Sequence, residues 1–264
     1  MAFHPTATNQ VRFYAQTQGT VNYTWTCSPS GNSGSGSFTQ NTANVLVTLS
    51  GLNIASGDTL TLSMQPQNLR RLYNANGGSP NPDCQRLINV KQWGSVVWSS
   101  MQNMFYECSN LKIYATNTPN LSQVTNIVHM FLNATSFNQP LSNCTFHPNV
   151  WFSNTFTNCA MDCGNYAATL TVWANNPNTP NNNRSLDVID RQYASTVIAA
   201  RNHLVTNEGW KITGNVLIPL CSPTYLSISI EQIDVSEYFI QDFLVRLLNN
   251  LPQMNVRFSF VLWV

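Results

Sequence analysis

The hydrophobic positions in the middle of the chain repeat at a fixed interval. Aligning Phe105, Phe131 and Phe156 gives steps of 26 and 25 residues. An apolar residue precedes each phenylalanine by four positions and a small residue follows it by three: Met101, Ile127 and Phe152, then Cys108, Ala134 and Cys159. Periods of roughly 20 to 30 residues are typical of leucine-rich-repeat solenoids, in which each coil buries its apolar side chains against the next. The pattern predicts three stacked coils with one short helical turn in each.

The third coil departs from this pattern. Leu111 and Phe137 lie six positions after their phenylalanines, whereas the third coil has the polar Asp162 there. The last unit of a solenoid is atypical because no further coil covers it. We therefore expect a cap after Asp162.

The segment 191–210 is our candidate for this cap. Its apolar residues recur at helical spacing, namely Tyr193, Val197, Ala200, Leu204 and Val205. Gly209 can end the helix, and Trp210 can fold back onto it. The segment predicts one capping helix.

Residues 1–83 show the alternation of β-strands. The stretches VRFYAQ, VNYTWTC, NVLVTLSGL and DTLTLSM place apolar side chains at every second position. Short strands with polar turns predict a small sandwich of immunoglobulin-like or related type. Between two strands, SPSGNSGSGS (28–37) is expected to be a flexible loop, either a contact tip that orders on binding or a mobile hairpin end.

Residues 215–264 predict a strand, an amphipathic helix and a final strand. That last strand carries Val256, Phe258, Phe260, Leu262 and Val264 on one face. An apolar edge strand needs a partner, so it either completes the protein's own sheet or docks on a neighbouring subunit. The predicted fold class is α+β, mainly β, with domains at 1–83, 84–214 and 215–264.

The middle domain also resembles a known family. The stretches RLINVKQWGSVVWSSMQNMFYECSNL (86–111), VTNIVHMFLNATSFNQPLSN (124–143) and the segment 165–214 look like the BspA-like leucine-rich-repeat surface proteins of Bacteroidetes and their phages. The resemblance covers residues 84–214, about half of the chain. It implies a repeat fold, surface display and adhesion, with no shared ligand or catalytic site.

The composition narrows the functional classes. Charged residues make up 9% of the chain and the net charge is +1. The polar surface is therefore expected to consist mainly of amide and hydroxyl groups rather than of charged groups. Only Arg70 and Arg71 are adjacent basic residues, which argues against nucleic-acid binding.

Polar residues break every apolar run short of about 18 residues, so no membrane span is expected. The opening MAFHPTATNQ has no signal-peptide pattern.

No metal or cofactor site is predicted. The seven cysteines are an odd set without a C-x-x-C motif, and we interpret most of them as buried core thiols. The histidines lie far apart in sequence, at positions 4, 129, 147 and 203. This spacing matches no common zinc motif.

No catalytic residue is predicted either. Glu107 and Asp162 are the only acidic residues between Cys84 and Leu186, and neither has an evident partner for general acid–base work. A G-x-S-x-G nucleophile motif is absent from the sequence. A surface glycan hydrolase is therefore disfavoured.

The sequence thus predicts a non-enzymatic, surface-exposed attachment or recognition protein, displayed on a virus or phage particle or on a bacterial cell. Its expected partners are a host-surface glycan or protein and neighbouring subunits of an assembly. The alternative functions are a structural virion component, such as a penton or decoration protein, and a bacterial adhesin. Candidate contacts lie on loops between coils, with two nearby tryptophans: Asn117, Asn120, Asn138, Asn143, Trp98 and Trp151.

Overall fold

The computed structural model describes residues 1–4, 9–141, 144, 146–176, 179 and 184–221. These residues are mainly β, with two α-helices, α1 (Cys163–Asn175) and α2 (Ile198–Thr206). This agrees with the predicted α+β, mainly β class. The strands are β1 (Ala2–Phe3), β2 (Gln10–Thr17), β3 (Val21–Ser28), β4 (Ser33–Phe38), β5 (Leu46–Ser50), β6 (Thr59–Met64), β7 (Leu69–Tyr73), β8 (Ala75–Asn76), β9 (Ser79–Pro80), β10 (Leu87–Val90), β11 (Lys112–Ile113), β12 (Ser185–Asp187), β13 (Gln192–Ala194), β14 (Lys211–Thr213) and β15 (Val216–Ile218).

Two sheets contain the amino-terminal strands. One has six strands in the order β11-β10-β1-β6-β3-β4, and the other has three in the order β5-β2-β7. The four strands predicted from alternation correspond to β2, β3, β5 and β6. In β3, Val21, Trp25 and Cys27 are buried while the intervening side chains are more exposed, because successive residues of a strand point to opposite faces.

The predicted domain boundary at residue 83 lies inside a continuous sheet and core. Phe3 of β1 pairs with Leu87 of β10, which follows that boundary. Asp83 itself is 2% exposed and forms ion pairs with Arg12 and Arg86, at 3.2 and 3.1 Å. A single hydrophobic cluster runs from the amino-terminal strands to α1 and beyond.

The segment 28–37 is not simply a flexible loop, as the sequence led us to expect. Half of it, residues 33–37, belongs to β4, which pairs with β3 so that Gly34 lies opposite Trp25 and Gly36 opposite Tyr23. A Cβ atom on these glycines would lie 2.9 Å from Trp25 Nε1 and 2.5 Å from Tyr23 Oη. The rings pack over the glycine backbone, and this packing overrides the low strand propensity of Gly and Ser.

The three segments 101–111, 127–137 and 152–162, here called the turn segments, lie side by side. Alternate backbone N–H groups of one segment donate to carbonyls of the next at 2.8–3.1 Å. From the first segment to the second, the N–H to carbonyl bonds are Met101 to Asn126, Asn103 to Val128, Phe105 to Met130 and Glu107 to Leu132. From the second segment to the third, they are Ile127 to Trp151, His129 to Ser153, Phe131 to Thr155 and Asn133 to Thr157.

Each turn segment has two residues with left-handed backbone, two positions before and two after its phenylalanine. Their φ angles lie between 52° and 60°: Asn103, Glu107, His129, Asn133, Asn154 and Asn158. Four of the six are asparagines, which tolerate this conformation. Bonds such as Met104 N to Met101 O and Cys108 N to Phe105 O are three residues long. The expected helical turn is therefore a pair of successive tight turns, each with a left-handed residue at its third position.

The phenylalanines form a column inside the turn segments. The ring centroids are 5.4 Å apart for Phe105 and Phe131, and 6.2 Å apart for Phe131 and Phe156. Trp173 of α1 continues this column, with its centroid 6.1 Å from Phe156. The column thus ends on a helix that the sequence analysis did not identify.

Asp162, where the sequence departs from the repeat, lies immediately before α1. Its side chain accepts a hydrogen bond from the Asn165 backbone N–H at 2.8 Å and so caps the amino terminus of α1. The second helix, α2, covers only part of the predicted segment 191–210. Tyr193 lies in β13, which pairs in parallel with β15.

A disulfide joins Cys163, the first residue of α1, to Cys221. The other five cysteines are free and buried, which agrees with the interpretation of most cysteines as core thiols. The first strand, the helix and the final strand predicted for the carboxyl-terminal module all lie outside the described residues.

Candidate recognition surface

The outward face of β3, β4 and β6 carries rows of hydroxyl and amide side chains. The strand register places Thr24 between Ser35 and Ser63, and Thr26 between Ser33 and Thr61. A third row contains Ser37, Asn22 and Gln65, with Asn22 Nδ2 donating to Gln65 Oε1 at 3.2 Å. Neighbouring strands lie about 4.8 Å apart, and same-face residues along a strand lie about 6.7 Å apart. We call this set the hydroxyl face.

The hydroxyl face carries no charge of its own, since β3, β4 and β6 contain no Asp, Glu, Lys or Arg. Lys91 borders it, donating from Nζ to Thr61 Oγ1 at 3.1 Å. The buried side chains of the same strands, including Trp25, Leu60 and Leu62, fix the backbone beneath it. The face is therefore a rigid array of neutral donors and acceptors.

Part of the hydroxyl face is concave. A depression of about 570 Å³ is lined by Asn22, Thr24, Ser35, Ser63 and Gln65, among other residues. Hydroxyl groups both donate and accept hydrogen bonds, and amides offer both in fixed directions. Such a depression can bind a neutral ligand with many hydroxyl groups.

The loop asparagines predicted as contacts are largely engaged within the fold. Asn117 Oδ1 accepts from the Trp93 backbone N–H at 3.0 Å. Asn138 donates to an Asp162 carboxylate oxygen at 2.8 Å and accepts from the Asp162 backbone and the Asn165 side chain. These two amides hold loops in place, so they are poorly suited to bind a ligand.

The other predicted contacts do not form one site. Trp98 is 3% exposed and belongs to the core, so the prediction that it is a surface contact is wrong. Trp151 is 65% exposed at the edge of the third turn segment. Asn120 is exposed, and its side chain accepts from the Ser122 backbone N–H at 3.1 Å. Asn143 lies outside the described residues.

A second polar row, missed from the sequence, runs across the turn segments at the left-handed positions and next to them. The Tyr106 and His129 rings are 6.3 Å apart, and Asn154 Nδ2 lies 3.5 Å from His129 Nε2. Asn158 Nδ2 donates to Asn133 Oδ1 at 3.0 Å. Partial burial lowers the pKa of His129, so it is neutral at physiological pH. Equivalent positions meet because successive segments stack in register.

Several carboxylates are tied to structural partners. Asp187 accepts from Thr213 Oγ1 and from Ser153 Oγ, while Asp83 is paired with arginines as described above. Burial alone would raise the pKa of Asp58. Hydrogen bonds from the backbone and hydroxyl of Ser30 and from the Ala55 N–H outweigh burial and lower this pKa below its ordinary value. These groups stabilise loops.

Metal and thiol chemistry receive no support from the described part of the chain. No group of three or more His, Cys, Asp or Glu residues there could hold a metal ion. Burial raises the pKa of Cys84 to about 11 and that of Cys144 to about 12. These thiols remain protonated at neutral pH and are poor nucleophiles.

The comparisons with known proteins concern the same region as the turn segments. A family profile matches residues 81–175. Its description is "Mycoplasma protein of unknown function, DUF285", and it covers about a third of the chain, from just before β10 to the end of α1. No curated protein and no solved structure matches the chain. The match is specific neither to BspA-like proteins nor to Bacteroidetes, and its description names no activity.

A membrane-spanning helix is absent from the described residues, because neither helix there has both the length and the hydropathy required.

Proposed function

We propose that this protein is a non-enzymatic recognition protein, exposed on a virus or phage particle or on a bacterial cell, and that it binds a neutral host-surface glycan through its hydroxyl face. Glycans offer repeated hydroxyl groups at spacings of a few ångströms. A neutral array of side-chain donors and acceptors is chemically matched to them.

The observation that carries this proposal is the row of Ser35, Thr24 and Ser63 with its parallel neighbours. Three exposed strands present hydroxyls at every outward position of the two central rows. An ordinary solvated β-surface mixes in Lys, Glu and Arg, which discourage edge-to-edge association and aid solubility. The absence of charge on these strands favours a surface that contacts a neutral partner.

We further propose that residues 84–214 form a short leucine-rich-repeat solenoid packed against an amino-terminal sandwich. The column of phenylalanines and the hydrogen bonds between turn segments support the stacking. The profile match at 81–175 covers all three turn segments and includes the stretches 86–111 and 124–143, on which part of the resemblance to BspA-like surface proteins rests. In this arrangement the repeats are a rigid stem and the strands present the ligand-binding face.

An exterior location is supported by the Cys163–Cys221 disulfide. Disulfides persist mainly in oxidising environments outside the cytosol.

Quantitative proteomics across density-gradient fractions of the source culture tests the location. Co-migration with particles at a fixed stoichiometry supports a virion component, and enrichment with the envelope supports a cell-surface adhesin. Recovery only in the cytosolic fraction would contradict both.

A structural role in a particle is the second candidate, and one observation favours it. Val216, Leu217 and Leu220 are 47%, 49% and 52% exposed, next to the carboxyl-terminal segment predicted as an assembly module. Exposed apolar side chains in a cluster are typical of subunit contacts. Deleting residues 222–264 while retaining Cys221 should then give a folded protein that no longer joins particles. Normal incorporation would argue against this role.

Glycan binding is tested with the purified full chain on an array of neutral, acidic and basic glycans. Saturable binding to a subset of neutral glycans is the expected result, with little change between low and high salt because no ion pair is involved. Binding restricted to acidic glycans, or binding to host proteins alone, would overturn the proposed ligand class.

A further inference from the structure

Strand β4 forms one edge of the six-stranded sheet, and β3 is its only partner among the described strands. The register fixes which of its backbone groups point outward. Cys27 N donates to Asn32 O at 2.7 Å, so the next residue, Ser33, is not bonded to β3. Bonded and non-bonded residues alternate along an antiparallel strand. Ser33, Ser35 and Ser37 therefore direct their backbone N–H and C=O groups away from β3.

The opposite edge of this sheet is closed by a side chain. β11 lies there, and the Ile113 N–H donates to Gln139 Oε1 at 2.9 Å while Gln139 Nε2 donates to Ile113 O. No part of the chain that the structure describes closes the outward backbone groups of β4 in this way. Unpaired N–H and C=O groups along an edge are a template for another strand.

The features that usually protect an edge strand are missing from β4. Its sequence contains no proline and no charged residue, and no charged residue occurs anywhere from residue 13 to residue 57. The pairing of β4 with β3 runs from Phe38 to Ser33 without a register shift, so no bulge bends the edge away. Charges, prolines and bulges are what prevent edge strands from pairing. The β4 edge is therefore open to association.

The sequence of this edge matches a second copy of itself. Residues 33–37 are Ser-Gly-Ser-Gly-Ser, which reads the same in both directions about Ser35. In an antiparallel pair with Ser35 opposite its counterpart, every outward serine faces another serine, and about six backbone hydrogen bonds form. The serine hydroxyls share one face and can hydrogen-bond across the strands. On the other face, the glycines have no side chain to obstruct the approach.

We propose that two copies of this chain associate through β4, in antiparallel orientation about a two-fold axis at Ser35, so that two six-stranded sheets become one. The neutral edge avoids the repulsion that a charged residue would meet from its own counterpart across the axis. The contact involves one strand of each copy and is small, so we expect a weak dimer that forms at micromolar concentrations.

The dimer would place two hydroxyl faces side by side. A glycan carrying repeated units could then occupy both, which strengthens binding without any new type of contact. This consequence rests on the glycan binding proposed above, whereas the association of the two copies does not. The two proposals can therefore fail separately, because dimerisation is measured without a glycan.

Sedimentation velocity of the full chain over the micromolar range tests the association. The native protein should convert from monomer to dimer as its concentration rises. Ser35→Pro removes the outward N–H without breaking a bond to β3, and should weaken dimerisation roughly tenfold or more. Ser35→Ala is the matched control, because it keeps the N–H and should dimerise nearly as the native protein does. A native chain that stays monomeric, or a folded Ser35→Pro variant that dimerises as tightly as Ser35→Ala, would overturn the proposal.

A second set of variants tests the two-fold arrangement and needs no proline. Ser35→Lys and Ser35→Glu each place like charges opposite each other, so each should dimerise several-fold more weakly than the native protein. An equimolar mixture should form the mixed dimer more tightly than either variant forms its own, because opposite charges then face each other. Ser63→Lys adds the same charge to the same face on β6, away from the edge, and should dimerise as the native protein does. No gain in the mixture, or an equal loss in Ser63→Lys, would contradict pairing through β4.

Discussion

The rings of Phe105 and Phe131 are stacked, with centroids 5.4 Å apart and planes inclined by 25°, although 26 residues separate them in sequence. Phe156 extends the stack on the other side of Phe131, at 6.2 Å. Phe131 is therefore packed between equivalent residues of both neighbouring segments. Its side chain is 0% exposed, which makes it the central residue of the repeat core.

Replacing Phe131 by alanine should remove the middle of this column. The expected loss is about 3–5 kcal/mol in the free energy of unfolding, since the substitution deletes a fully buried aromatic ring and leaves a cavity. Urea denaturation followed by fluorescence measures it. Trp151→Ala is the control, because that ring is 65% exposed and should change stability by no more than about 1 kcal/mol. Equal effects of the two substitutions would contradict the stacked core.

His129 should make stability depend on pH. Burial lowers the pKa of His129 in the folded protein, so below the ordinary histidine pKa the unfolded chain takes up the proton more readily. Stability therefore falls as the pH decreases through the ordinary pKa of about 6.5 towards the lowered folded value. His129→Asn removes this dependence and keeps the left-handed backbone, because Asn103 and Asn154 have it at equivalent positions.

The measurement is the difference in unfolding free energy between His129→Asn and the native protein from pH 7.5 to pH 5. The difference should shift in favour of the variant as the pH falls. A difference that stays constant over this range would show that His129 does not titrate differently in the folded and unfolded chains.

Gly36→Ala should destabilise the edge of the six-stranded sheet. The added Cβ would lie 2.5 Å from Tyr23 Oη, so the ring must move away from the β4 backbone. We expect a cost of about 1–3 kcal/mol, as for other overpacked sites. In a Tyr23→Val background the cost should largely disappear. A double-mutant cycle on thermal unfolding measures this coupling, and strictly additive effects would exclude the predicted contact.

Thiol titration should distinguish the cysteines by environment. In the native protein at pH 8, the buried free cysteines should react slowly, because burial raises their thiol pKa; among them, Cys144 rises to about 12. After denaturation without reductant, five thiols should react, and after reduction seven. Seven thiols without reductant would show that Cys163 and Cys221 are not joined.

The elements with strong local periodicity were predictable. The alternating stretches correspond to β2, β3, β5 and β6, and the spacing of the phenylalanines identified residues that are in fact stacked. Asp162, the polar residue at the position equivalent to Leu111 and Phe137, caps the amino terminus of α1, so the break in the pattern coincides with the start of a helix. Stacking requires identical spacing, so its signature is visible in one sequence.

Other features depend on contacts that no local pattern reveals. The Ser/Gly composition of β4 predicts a flexible loop. The strand forms because the rings of Trp25 and Tyr23 pack on its glycines, and this contact is visible only in the structure. Trp98 follows an exposed valine and looks like a surface aromatic, yet the fold brings it against strands distant in sequence. The hydroxyl face could not be predicted from the sequence for the same reason, because its rows form only when the register of three strands is fixed.

The most direct test of the central claim is a comparison of two Thr→Glu variants for affinity to the best neutral glycan from the array. Thr24 is the centre of the hydroxyl face, whereas Thr42 is another exposed threonine, on the loop between β4 and β5. Thr24→Glu should weaken binding, measured by surface plasmon resonance, roughly tenfold or more, because a charge replaces a central hydroxyl, whereas Thr42→Glu should bind as the native protein does. Native affinity in a folded Thr24→Glu variant would contradict recognition through this face.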